Sequence, residues 1–242
     1  MQHKDLHIVF EDKWLIVAEK PSGMLTMSTG KVGEITAYSL MYNYVRTKSR
    51  HTESRIFIVH RLDRDTSGLL IFAKDHQTKT LLQENWDKAV LERKYLAILE
   101  GNIEDREGWI ETWLHENPKS MMVHCHAVEE HDDRNRPPVK GWQFASSHCR
   151  TIKNGVIEGQ PYSCVEFELE TGRKNQIRVH SQWIGHPIAG DRKYGASTNP
   201  LGRLCLHAHT LSFIHPWTGK EMHFKSKAPK SFGRLKESTV TK

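Results

Sequence analysis

The run His60-Arg61-Leu62-Asp63-Arg64-Asp65-Thr66-Ser67-Gly68 places two carboxylates, two guanidiniums and two hydroxyls side by side. Apolar stretches lead in (56–59) and out (69–73), and both read as short buried strands. A polar turn held between buried strands is a rigid mount for chemistry. Asp63 has Arg61 and Arg64 close in sequence, and a nearby cation keeps a carboxylate ionised. An ionised, positioned carboxylate can act as a nucleophile or a base. The plainer reading has Asp63 and Asp65 capping the turn and pairing with the arginines.

A second cluster is Thr171-Gly172-Arg173-Lys174-Asn175-Gln176-Ile177-Arg178-Val179-His180. Gly172 permits a tight turn, and a helix from there to about Ile184, ended by Gly185, begins with two cations. Positive side chains at a helix N-terminus oppose the macrodipole. An anionic ligand such as phosphate accounts for Arg173 and Lys174, and a solvated charged face is the alternative. Arg178 lies between Ile177 and Val179. A partly buried Arg needs an acid partner, and Asp63 is the candidate. Three glycines and a proline fix a loop over 185–195, which offers Arg192 and Lys193 to a phosphate backbone or serves structure alone. Tyr95 is packing unless its ring faces the acidic turn, where it can stack on a base. His124-Cys125-His126 with Cys149 fits no standard zinc spacing, so no metal site is expected.

The elements that must position these residues follow from periodicity. A hairpin is expected over 7–18 and a helix over 34–48. Asp75 is set to cap a helix running to about Asp87. Strands are expected at 95–99, 109–114, 164–169 and 206–214, with a polar loop at 129–138 and a turn at 153–161. Strands outnumber helices and often follow one another directly. That predicts an α+β chain built on a mixed, largely antiparallel sheet, with no boundary that splits it.

The chain has 242 residues and a net charge of +6, and 37% of it is hydrophobic. These are globular values, and the basic excess suits a polyanionic partner. Four scattered cysteines form no CxxC pair, which points to a reducing compartment, and the sequence shows neither a secretory signal nor a membrane span. A cytoplasmic location is expected.

His60-Arg61-Leu62-Asp63 followed by Thr66-Ser67-Gly68 resembles the signature of RNA pseudouridine synthases of the RluA type. Lys20-Pro21-Ser22-Gly23 resembles that family's N-terminal Lys-Pro-x-Gly element, and Arg93-Lys94-Tyr95 its strand bearing a tyrosine. The 171–180 run resembles its Thr-Gly-Arg-x-His-Gln-x-Arg-x-His element, with Asn175 in place of the usual His. Gly185-His186-Pro187-Ile188, Gly190-Asp191, Leu206-His207-Ala208 and His215-Pro216 follow in family order.

The resemblance implies the pseudouridine synthase fold, with helices flanking the sheet and a central RNA-binding cleft. It implies a catalytic domain over 1–225, and composition sets 226–242 apart as a basic tail. No counterpart of the RNA-binding S4 module of many relatives is expected ahead of the hairpin. The implied reaction breaks the C1′–N1 bond of a uridine in RNA, turns the uracil and joins C1′ to C5, with no cofactor. Asp63 matches the family's essential aspartate, Tyr95 its active-site tyrosine and Arg178 its carboxylate-pairing arginine. Arg61, Arg64, Thr66, Arg173, Lys174, Ile177, Arg192 and Lys193 are the expected substrate and RNA contacts. The expected partner is a structured, uridine-containing stem-loop of ribosomal or transfer RNA, bound by a monomer with no obligatory protein partner. Two other readings are a non-catalytic RNA-binding module and a Mg²⁺-dependent phosphotransferase built on Asp63-x-Asp65.

Overall fold

A computed structural model describes residues 6–48, 55–104 and 107–237. The chain runs through β1 (His7–Glu11), β2 (Leu15–Lys20), α1 (Ala37–Lys48), β3 (Phe57–Ile58), β4 (Ser67–Ala73), α2 (His76–Glu84) and α3 (Trp86–Ala89). It continues through β5 (Val90–Glu100), β6 (Glu107–Glu116), β7 (Val123–Ala127), β8 (Gln143–Ile157) and β9 (Gln160–Leu169). Then come α4 (Gln176–Trp183), β10 (Leu206–Ile214) and β11 (Glu221–Lys225), with 3-10 turns at Arg192–Tyr194 and Lys230–Arg234. Two compact units result, Met1–Arg93 with His207–Lys227, and Lys94–Leu206 with Ala228–Lys242. The chain passes from one to the other inside β5 and again inside β10, so no linker sequence marks the division.

In the first unit β1–β2, β2–β4, β3–β4 and β10–β11 pair antiparallel, and β4–β10 pairs parallel. The expected hairpin forms because Asp12 Oδ1 accepts from the amides of Trp14 and Leu15 at 2.7 and 2.8 Å. All seven residues of β4 are buried, as a continuous apolar run requires of a central strand. α1 starts at Ala37, later than expected, because Thr36 and Ser39 exchange side-chain-to-amide bonds of 3.0 and 2.9 Å and fix the start there. Asp75 caps α2 as expected, accepting from the Thr78 amide at 2.7 Å, but the helix breaks at Asn85 into α2 and α3.

The second unit orders its strands β5-β9-β8-β6-β7, each pair antiparallel. The turn expected over 153–161 shrinks to Glu158 and Gly159, at φ 53° and 79°. Two residues with positive φ make the tightest hairpin, so β8 and β9 run on to their ends. α4 packs against β6, β7 and β8. Phe232 and Leu235, in the segment set apart by composition as a basic tail, are buried in the core with Phe167, Ile188 and Cys205.

Candidate active site

In the first unit the signature turn is held from three directions. It closes on itself where the Thr66 amide donates to the Asp63 carbonyl at 3.2 Å. Segment 20–26 then grips its backbone residue by residue. Lys20 Nζ, only 1% exposed, donates to the carbonyls of Met24 at 2.7 Å and Arg64 at 2.9 Å. Ser22 Oγ donates to the Asp65 carbonyl at 2.7 Å. Thr26 Oγ1 donates to the Leu62 carbonyl at 2.8 Å and accepts from the Leu62 amide at 3.2 Å. The backbone on both sides of Asp63 is therefore fixed, while the Asp63 side chain is half-buried.

On the entry side, the β3–β4 ladder thins to one bond from the Val59 amide to the Ile71 carbonyl at 3.5 Å, and two side chains take the neighbouring places. The Ile71 amide donates to His60 Nε2 at 3.2 Å, and Gln83 Nε2 donates to the Val59 carbonyl at 2.7 Å. β3 is two residues long where its apolar run suggests four. Burial pushes the His60 pKa down to about 3, and its ring lies 5.1 Å from Trp86, so it serves as a neutral acceptor. On the exit side, Ser67 Oγ meets buried His207 Nδ1 at 2.8 Å. Gly68, at φ 115°, lies so close to β10 that a Cβ would meet the Ala208 carbonyl oxygen at 2.1 Å.

Arg64 turns its guanidinium to Asp65, with bonds of 3.1 and 3.2 Å. Arg61 is exposed, with Nη1 3.9 Å from Met27 Sδ, and Thr66 is buried. We expect Lys20→Met to lower stability by about 2–4 kcal/mol, because the carbonyls of Pro21, Met24 and Arg64 all lose a charged donor. Thermal melts check this, and an unchanged melting temperature would show that the ammonium does not hold the turn.

In the second unit, the 171–180 run folds around two satisfied polar side chains. Gln176 Oε1 accepts from Thr171 Oγ1 at 2.8 Å and the Arg173 amide at 2.9 Å. Its Nε2 donates to Ser146 O and Ser147 Oγ, both at 2.9 Å. His180 lies between the Thr112 and Ser147 hydroxyls, 3.0 Å from each, and burial lowers its pKa to about 4. These contacts start α4 at Gln176. Arg173 and Lys174 thus precede the helix, which corrects the expectation that they open it. Arg173 Nε donates to the Phe144 carbonyl at 2.9 Å, and Lys174 pairs with Glu116.

α4 turns Gln176, Ile177, His180 and Ser181 inward. Ile177, expected as an RNA contact, is 4% exposed and belongs to the apolar core, against which Tyr95 also packs. Arg178 meets buried acid within its own unit. Its Nε and Nη2 donate to the two oxygens of Asp191 at 2.7 Å each, and Asp191 is 2% exposed. Arg178 Nη1 donates to Asn175 Oδ1 at 3.1 Å, and the guanidinium lies 4.8 Å over the Tyr194 ring. Asn175 Nδ2 donates in turn to the Tyr194 hydroxyl at 2.9 Å. Asn175 adopts the left-handed conformation that Asn tolerates better than most residues (φ 56°). Arg192 and Lys193 are exposed on the neighbouring turn, and Lys193 Nζ donates to the Met121 carbonyl at 2.8 Å. Lys20, Gln176, His180 and Asp191 are the positioning residues that reading for chemistry passes over. Lys20 ends a strand whose first four residues are all buried, so no alternation marks its side chain as inward.

Residues 14–183 match the family model described as RNA pseudouridylate synthase. An uncharacterized RNA pseudouridine synthase of Bacillus subtilis, YhcT, is 35% identical over 90% of this chain and 67% of its own length. The ribosomal large subunit pseudouridine synthase D of Zymomonas mobilis is 32% identical over 95% of this chain and 71% of its own. In fold, the chain is similar to human RNA pseudouridylate synthase domain containing 4, with a TM-score of 0.74, 22% identity, and coverage of 95% of this chain and 92% of that one.

Proposed function

This chain belongs to the RluA-type family of RNA pseudouridine synthases and isomerises uridine in RNA, and from that premise we propose that Asp63 is the carboxylate that carries out the reaction. The observation that carries this reading is the grip of segment 20–26 on the backbone carbonyls of Leu62, Arg64 and Asp65. A carboxylate set on so fixed a turn is preorganised for one geometry.

A uridine must leave its stack to reach such a group. The C1′–N1 bond then breaks, the uracil turns, and C1′ bonds to C5. C5 loses its proton and N1 gains one, so atoms balance without a cofactor. Tyr95 stacks on the uracil, and Arg178 balances the charge of the reacting carboxylate. Arg61, Arg64, Arg173, Lys174, Arg192 and Lys193 meet the RNA, its phosphates chiefly through the exposed cations, while Thr66, only 3% exposed, serves the turn. The enzyme works as a monomer in a reducing cytoplasm, which its four free cysteines support.

Ribosomal RNA is the first substrate to try, since it is the target in the Zymomonas relative's name. The test maps pseudouridine in total RNA from cells with and without this gene. A site lost on deletion and regained with the wild-type chain identifies the substrate, and an unchanged map in every RNA overturns the reading. Activity in EDTA should persist.

A further inference from the structure

One exposed face of α1 carries aromatic and cationic chemistry that the signature turn does not use. Tyr38, Tyr42 and Arg46 recur every fourth residue and so share one stripe of the helix. The Tyr38 and Tyr42 rings stack with centroids 6.1 Å apart at 19°, and the Arg46 guanidinium lies 5.5 Å over Tyr42. The core contact of α1 runs instead through Ala37 and Met41. The segment leading into the helix exposes Met27, Val32 and Ile35, with Val32 fully in solvent and Ile35 60% exposed.

The charges nearby divide into two sets. Glu11 neutralises Lys48 and Lys74, and Asp65 neutralises Arg64. Arg46 and Arg61 form no ion pair with any described residue, and each lies against a soft apolar group, a phenol ring or a thioether. The start of this face is tied to the signature turn through one residue. The Tyr38 amide donates to the Thr26 carbonyl at 3.0 Å, and the Thr26 hydroxyl holds Leu62, the residue before Asp63.

We propose that the Tyr38–Tyr42–Arg46 face of α1 is a stacking platform for unpaired nucleotides of the substrate RNA next to the target uridine, with Arg46 and Arg61 on their phosphates. Phenol faces accept any base, and unneutralised guanidiniums supply the charge complement of a single strand. The inference rests on the RNA-modifying reading and extends it to substrate beyond the reacting nucleotide.

The test measures binding of a fluorescein-labelled single-stranded oligouridylate of about 12 nucleotides, within the usual span of such grooves. The full chain is compared with Tyr42→Ala, Tyr42→Phe and Arg46→Ala. Both alanine variants should weaken binding about 10-fold at unchanged melting temperature, while Tyr42→Phe, which keeps the ring, stays within about 2-fold. Arg46→Ala should also flatten the slope of log K against log salt by about 0.7. Wild-type affinity in both alanine variants overturns the proposal, as does a wild-type chain that does not bind the oligonucleotide. Pseudouridine mapping with the wild-type chain is a separate arm. If it fails while these affinity changes appear, the functional reading has failed and the face binds single strands without being a substrate platform.

Discussion

Asp63→Asn should abolish pseudouridine formation, by about 10⁴-fold or more, while RNA affinity stays within a few-fold. Asn has the same shape as Asp and lacks the charge that the reaction needs. The turn's backbone is held without the Asp63 carboxylate. The contacts with Lys20, Ser22 and Thr26 fall on carbonyls and an amide of Leu62, Arg64 and Asp65. The turn's own closing bond uses the Asp63 carbonyl, not its carboxylate. A melting curve close to wild type alongside lost turnover therefore assigns the loss to chemistry. Asp65→Asn is the matched control. Its carboxylate is committed to an exposed pair with Arg64, of the kind that contributes little, so turnover should remain within a few-fold. Normal turnover by Asp63→Asn, or equal losses in the two variants, would sink the assignment.

What the sequence shows depends on whether the deciding interaction is local. The hairpin of β1 and β2 and the Asp75 cap are set by neighbours within a few residues, and both are legible. The start of α4 is not, because Gln176 reaches Ser146 and Ser147 on another strand before the helix begins. The end of β3 is not legible either, because the Val59 carbonyl is met by Gln83, a residue of a later helix. The two-unit division leaves no trace in composition, since its crossings lie inside β5 and β10. Among site residues, Asp63 stands out in a dense polar run between two apolar stretches, and Arg178 as a charge between Ile177 and Val179. Asp191 does not stand out. It follows a glycine in a loop, and only the folded chain shows that it is buried against Arg178. Ile177 shows the converse error. Its place beside Arg178 in a motif suggested contact with substrate, but the rotation of α4 turns it to the core.

The pair of Arg178 and Asp191 should give the largest stability effect in the molecule. Arg178→Met removes two bonds of 2.7 Å and leaves a carboxylate that is 2% exposed without that partner. Breaking such a pair on one side costs about 3–5 kcal/mol, so the melting temperature should fall by about 10 °C. Much of that cost is the stranded charge, not the value of the pair, since paired ions also gave up hydration to be buried. Arg178→Met combined with Asp191→Leu removes both charges and should therefore recover most of the lost stability. If Arg178 serves only the fold, turnover should return with it. If it balances the reacting carboxylate, the double variant should melt near wild type and still form almost no pseudouridine. Melting curves read beside turnover thus separate the two roles. A stable double variant that turns over normally would remove Arg178 from the reaction and leave the Asp191 pair as scaffold.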